Sequence, residues 1–294
     1  MTPTFINVGP GRCGTSWLHQ AHRSHPEIGT ASIKETEFFN TNYQKGPEWY
    51  GSKFPDTDFD AIGEISNNYY LDPTVARRIH EHNPNTRIVF NLRQPMSLLR
   101  SMYVFAQRRG LVLTSSREDL DIPIGRVMGS GYDARERQGN LVGTDTPTLF
   151  EAALLSRYIP AYIDLFGSQN VHFFILERMK KDPEAELTAL YRFLQVDETH
   201  VPETADERVN DALVPQSKGV ARLASSTAFT LRRLGADRLL TALHDSPTIK
   251  KALFTKSDSA GVELPLDDTD RDVLREEERK IIEIVPNVEE HWKS

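Results

Sequence analysis

The sequence predicts an α/β domain: a single unit over residues 1–294 with a central parallel sheet of four to five strands and helices on both faces. Short apolar runs alternate with segments whose apolar residues recur at three- and four-residue spacing. The run at 87–92 is apolar almost throughout, as in a strand covered on both sides. The length, 294 residues, is enough to bury one large core.

Phe5-Ile6-Asn7-Val8 is short, apolar and β-prone, and Gly9-Pro10-Gly11 ends it. From Gly14 to Ser24, Trp17, Leu18 and Ala21 keep helical spacing until His25-Pro26 closes the segment. A second helix opens at Asp72-Pro73, with Asp as the cap, Pro in the first turn, and Val75 and Ile79 on one face. The buried strand at 87–92 runs into Pro95 and a helix bearing Met96, Leu99, Tyr103 and Ala106. The run from Val171 to Leu176 is another strand, and Asp182-Pro183 opens a helix with Leu187, Leu190, Phe193 and Leu194 on its face. Between Gly110 and Thr148 the periodicity is lost over a Gly-rich, charged stretch too long for an ordinary connection, so it reads as a lid or an insertion.

Charge and composition exclude several classes. Lys and Arg number 35 against 42 Asp and Glu, a net charge of −7, which argues against a nucleic-acid binder. No eighteen-residue apolar run predicts a membrane-spanning helix, and no basic-then-apolar leader precedes the first strand, so a cytoplasmic location is expected. The single cysteine, Cys13, leaves no disulfide framework. His19, His22 and His25 recur every three residues, but no Cys or carboxylate joins them at ligand spacing, so no metal is expected. Charge is uneven: residues 218–256 carry a local net of +6 and read as a basic helical segment. Such a segment on an acidic chain faces an anion, whether a cofactor, an anionic glycolipid or a membrane surface reached peripherally; a solvated helix face is the plainer reading.

The chemistry concentrates in two places. Gly9-Pro10-Gly11-Arg12-Cys13-Gly14-Thr15-Ser16 lies between a strand and a helix, where a Gly-rich turn aims backbone N–H groups and a helix N-terminus at one anion. The loop is P-loop-like in spacing, but Thr15 stands where a triphosphate-binding loop needs lysine, which argues against triphosphate chemistry. Arg93 closes the next buried strand and Ser101 lies two turns along the helix that follows, beside Arg100, so both can converge on a second phosphate at the carboxyl ends of the strands. Cys13 sits where a helix N-terminus would favour its thiolate, although a small loop-filling role suits it better.

These motifs resemble those of sulfotransferases that use 3′-phosphoadenosine 5′-phosphosulfate (PAPS), in particular the bacterial and heparan-sulfate types. GPGRCGTSW resembles the 5′-phosphosulfate loop, and the run from Arg93 to Tyr103 resembles the 3′-phosphate motif, R-x-P followed by S-x-Y. Between them Lys34-Glu35-Thr36-Glu37-Phe38-Phe39, Gly46-Pro47-Glu48-Trp49-Tyr50 and Gly63-Glu64-Ile65-Ser66-Asn67-Asn68-Tyr69 follow the family's order. The match is dense from Phe5 to about Tyr103 and thinner from Phe150 to Gln195 and at Trp292.

The resemblance implies transfer of a sulfuryl group from PAPS to a hydroxyl, less readily an amine, of a small-molecule, glycolipid or saccharide acceptor, leaving PAP and using no metal. It places Arg12, Cys13, Gly14, Thr15 and Ser16 at the 5′-phosphate, and Arg93 and Ser101 at the 3′-phosphate, with Lys218-Gly219 completing the nucleotide site. Arg12 stands where many relatives carry lysine; it stabilises charge but donates no proton. Glu35 takes the position of the catalytic glutamate, the general base, in a pocket that Phe38 and Phe39 make apolar; Glu37, where some relatives carry His, is the alternative base. Lys34 either lowers the Glu35 pKa or binds sulfuryl oxygens, and Glu64 is structural or supports the site from behind. Ile65 replaces a lysine of some relatives, which argues against a heparin-like polysaccharide. Residues 110–148, Tyr158 and Tyr162 are expected to shape the acceptor pocket. The rivals are a nucleotide-dependent kinase and a relative that binds PAP without turnover.

Overall fold

Five strands form one all-parallel sheet in the order β2-β3-β1-β4-β5: β1 (Phe5–Gly9), β2 (Ile28–Thr30), β3 (Ala61–Ile65), β4 (Arg87–Leu92) and β5 (Val171–Ile175). The structure is a computed structural model that describes residues 2–109, 111–112, 116–128, 147–202, 213–215, 254–256 and 262–292. The α/β class, the parallel sheet and its upper strand count stand as the sequence predicts. The strands β2 and β3 have no counterpart in the sequence reading, because three residues, and five interrupted by Gly63, are too short to show periodicity. Gly63 is required there: a Cβ on it would lie 2.4 Å from the Phe5 carbonyl oxygen on β1.

Helices cover both faces. Among the described residues they are α1 (Thr15–Ser24), α2 (Gly46–Gly51), α3 (Pro73–His82), α4 (Pro95–Arg108), α5 (Ile124–Met128), α6 (Ile159–Phe166), α7 (Leu176–Lys181), α8 (Pro183–Leu194), α9 (Asp268–Ile284) and α10 (Glu289–Trp292). Because strand side chains alternate, Phe5 and Val89 face one core with Trp17, Leu18 and Ala21 of α1 and Leu187, Leu190 and Leu194 of α8. Ile6, Val8, Ile88 and Phe90 face the other, against α3, α4, α6 and α9. Asp72 caps α3, its Oδ1 accepting from the Thr74 N–H at 2.8 Å, and Asp182 caps α8 in the same way through the Ala185 N–H.

This topology fixes where a ligand can sit. The chain leaves β1 through α1 toward β2, and leaves β4 through α4 toward β5 on the opposite side. The crevice at the carboxyl ends of β1 and β4 is therefore the switch point of the sheet. The C-terminal helices brace that end. Glu177 accepts from the Gln94 N–H and from Trp292 Nε1, both at 3.1 Å, and Gln94 Nε2 donates to Glu278 at 3.0 Å. Glu277 takes both the N–H and the hydroxyl of Ser156.

Two expectations change, those for Tyr162 and for the basic segment. Tyr162 does not line a pocket: it is fully buried, its hydroxyl donating to the Tyr69 carbonyl at 2.8 Å. The described part of the 110–148 stretch folds onto the core through buried Leu120, Ile124 and Val127, and its residues 129–146 lie outside the described residues. Phe254–Lys256, the end of the basic segment, is strand rather than helix, paired antiparallel with Leu213–Pro215. A β-prone Phe-Thr pair with an apolar partner run explains that choice. The other residues of the segment lie outside the described residues.

Candidate active site

The loop after β1 is shaped by backbone that most residues avoid. Gly9, Arg12 and Gly14 all have positive φ, at 94°, 70° and 83°. Gly9 permits the tightest approach in the crevice, since a Cβ on it would lie 2.1 Å from the Asn67 carbonyl oxygen. Asn7 Oδ1 accepts from the Gly9 N–H at 3.1 Å, at the point where the β1–β4 register shifts. Gly14 is the N-cap of α1 and brings no capping side chain, so the helix N-terminus keeps donors for a ligand.

The end of β4 holds this loop. Asn91 Nδ2 donates to the Cys13 carbonyl at 2.9 Å and Arg93 Nη1 to the Arg12 carbonyl at 3.0 Å. Both bonds occupy carbonyl oxygens that would repel an anion. Arg93 Nε is buried and has no partner among the described residues, an unmet donor of a kind that proteins rarely leave. Arg12 Nε donates to Ser101 Oγ at 3.2 Å, and its guanidinium lies 5.1 Å from the centre of the Phe105 ring. Arg12, Arg93 and Ser101 thus meet in one cluster, although the sequence reading assigns Arg12 and Ser101 to different phosphates.

Cys13 is not a thiolate. It is fully buried, and burial pushes its thiol far above the ordinary value despite the opposing charges of Arg93 and Arg12. Its role is to fill the loop. The three histidines do not converge either: His22 packs between Phe5 and Tyr191, while His25 bonds the Asp197 carbonyl. Among the described residues no group of three or more His, Cys, Asp or Glu could hold a metal ion.

Carboxylates gather across the crevice, beside β3. Lys34 Nζ donates to Ser16 Oγ at 3.3 Å and lies 3.9 Å from Glu35 Oε1, so it links the first turn of α1 to Glu35. Asn67 Nδ2 donates to the same Glu35 oxygen. The Glu35 and Lys34 side chains are only 23% and 18% exposed. Burial raises the Glu35 pKa, and the Lys34 charge opposes without cancelling it; burial lowers that of Lys34. Glu37, held by Asn40 and Asn68, is raised to about 8, first by burial and then by the Glu35 charge. Phe38 and Phe39 turn into the core, where Phe38 stacks on Tyr50 at 4.3 Å.

Asn67, Asn91 and Phe105 escape the sequence reading, for a lone Asn or Phe has no spacing that signals a site. Glu64 is buried, as its structural assignment implies, and Ile65 is core. Lys218 and Gly219 lie outside the described residues.

A sulfotransferase-domain model matches residues 2–230. The chain belongs to the sulfotransferase family. That family uses PAPS as its sulfuryl donor. It is 25% identical over 213 residues, 68% of its length, to a bifunctional heparan sulfate N-deacetylase/N-sulfotransferase 1 of Caenorhabditis briggsae, of which it spans 24%. It is 26% identical over 194 residues, 65% of its length, to the human heparan sulfate glucosamine 3-O-sulfotransferase 6, of which it spans 52%. It therefore covers a quarter to a half of these relatives. A solved sulfotransferase from Alicyclobacillus acidocaldarius superposes with a TM-score of 0.56 and 25% identity, covering 85% of this chain and 99% of the other.

Proposed function

We propose that this chain transfers a sulfuryl group from PAPS to a hydroxyl of a saccharide, glycolipid or small-molecule acceptor, with Glu35 as the general base. The observation that carries the reading is the opposition of two groups across one crevice. An unmet Arg93 donor and an uncapped helix N-terminus stand on one side, and a buried carboxylate linked to that helix through Lys34 stands on the other. The donor side fits a nucleotide with two phosphate positions. Arg93, Ser101 and Arg12 bind the 3′-phosphate; the amides of Cys13, Gly14 and Thr15, with the Thr15 and Ser16 hydroxyls, bind the 5′-phosphate.

PAPS brings a sulfuryl group activated by its phosphate leaving group. Glu35 takes the proton of the attacking hydroxyl, and its burial gives the carboxylate the basicity this needs. Lys34, held between Ser16 and Glu35, offsets negative charge as it builds on the sulfuryl oxygens and the leaving phosphate. The saccharide class rests on the two heparan sulfate relatives.

Calorimetric titration with PAP and with ATP, on wild type and Arg93→Ala, tests the donor assignment. Wild type binds PAP and not ATP, and Arg93→Ala loses about 1.5–3 kcal/mol of PAP affinity, the value of a hydrogen-bonded charge. Binding of ATP without PAP would overturn the reading in favour of a kinase. PAP binding without any turnover of PAPS would leave a non-catalytic binder.

A further inference from the structure

We infer that Glu64 is a positioning residue for the carboxylate side of the site. It fixes the 36–39 segment, and with it the general base, through a closed set of four hydroxyls. The inference deepens the function proposed above and rests on Glu35 as the base.

Glu64 lies near the carboxyl end of β3, its residue only 3% exposed. Its Oε2 accepts from Thr36 Oγ1 at 2.5 Å and from Ser66 Oγ at 2.8 Å. Its Oε1 accepts from the Tyr50 hydroxyl at 2.7 Å and from the Tyr69 hydroxyl at 3.1 Å. Two donors on each oxygen fill the acceptor capacity of a carboxylate. A carboxylate is the one side chain of this size that can take four hydroxyl protons and donate none.

While donating a hydrogen bond to Glu64, each of three hydroxyls has lone pairs left for the backbone. Ser66 Oγ accepts from the Glu37 N–H at 3.2 Å, Thr36 Oγ1 from the Phe38 N–H at 3.3 Å, and the Tyr69 hydroxyl from the Phe39 N–H at 3.1 Å. Three consecutive amides are thereby ordered by one buried side chain, none of them bonded directly to it. They begin two residues after Glu35 and include that of Glu37, whose φ of 51° needs such support. The same hub is tied to the phosphate loop: the Ser66 N–H donates to the Asn7 carbonyl at 3.0 Å, and Asn7 Oδ1 holds the Gly9 N–H. One buried carboxylate thus sets the base segment in register with the loop.

The polarity explains why an amide cannot substitute. In Glu64→Gln the NH₂ group faces two hydroxyl donors, which must turn away, and at least one then stops presenting its lone pairs to the backbone. The charged and titratable neighbours are Lys34, Glu35, Glu37, Tyr50, Tyr69 and His82, whose ring lies 5.7 Å from that of Tyr50.

The test needs no known acceptor. Amide hydrogen exchange of the full chain, read by mass spectrometry on peptides spanning 36–40, β1 and β4, compares wild type with Glu64→Gln, Thr36→Val and Tyr69→Phe. Exchange over 36–40 is expected to rise about tenfold in Glu64→Gln, while β1 and β4 stay protected. PAP release from PAPS, with water and with a glucosamine-containing oligosaccharide as acceptors, should show kcat reduced and PAP affinity unchanged. Unchanged exchange over 36–40, or a rise shared equally by β1 and β4, would overturn the inference. If Glu64→Gln does not fold, Thr36→Val and Tyr69→Phe decide it, since each should free its own amide, Phe38 or Phe39. A Glu35→Gln variant that keeps full turnover would overturn the base assignment instead, with the exchange result standing independently.

Discussion

The two walls of the crevice hold their ionisable groups by opposite means. At the ends of β1 and β4 the arginines are tethered by a few bonds to a carbonyl or a hydroxyl, and Arg93 keeps a buried donor unmet. Beside β3 the carboxylates are crowded with donors: Glu64 takes four hydroxyls, and Glu37 two amides. The first wall is built to receive an anion and the second to hold one still. Unmet donors favour binding of a substrate already charged. A buried carboxylate with its segment pinned gains basicity without losing aim. Binding and proton transfer are therefore assigned to different strands, and substitutions on the two walls should separate affinity from turnover.

The seam between the walls is the place where one change should damage both. Gly9 meets the Asn67 backbone, and Asn67 bonds Glu35. Gly9→Ala sets a Cβ against a carbonyl oxygen at a positive φ, so PAP affinity and PAP release should both fall, with a stability loss of at least about 1–3 kcal/mol. Gly46→Ala is the control. Gly46 also has a positive φ, of 78°, with ψ at 165°, but nothing lies within 4 Å of its added Cβ, so only a backbone cost of about 1–3 kcal/mol is expected. Equal behaviour of the two variants in calorimetry and turnover would remove the seam from the account.

A smaller effect sharpens the carboxylate wall alone. Glu37 titrates at about 8 in the folded chain against an ordinary 4.5, so between those values the native state keeps a proton that the unfolded chain has released. Stability from this site is complete in acid and lost as pH rises toward 8. Glu37→Gln carries no titrating proton. The Tm of wild type relative to the variant should therefore decline from about pH 4.5 to pH 8. A relative Tm that is flat or rising over that range would place the proton elsewhere.

How much of this was legible in the sequence follows from the reach of each signal. The phosphate loop and Arg93 could be read because glycines at a strand-to-helix turn and a cation ending an apolar strand are local patterns. Glu35 was legible only through resemblance, since nothing near it in sequence predicts its burial. The Glu64 hub was not legible: Ser66 and Tyr69 lie close to Glu64 in the chain, but Thr36 and Tyr50 reach it only when β2 pairs with β3 and α2 packs beneath the 36–39 segment. The pairing of Arg12 with Ser101, 89 residues apart, is likewise a product of β1 lying next to β4. The helices α9 and α10 were missed because their contacts run to Ser156, Glu177 and Gln94, far away in the chain.

The division of labour between the walls is tested most directly by Glu35→Gln, with PAP affinity from calorimetry and PAP release from PAPS measured on the same preparation. The account predicts PAP affinity at the wild-type level and a rate lower by about 10²–10⁴-fold, the contribution of a positioned general base. A variant that turns over PAPS at the wild-type rate, or one whose PAP affinity falls along with its rate, would contradict it.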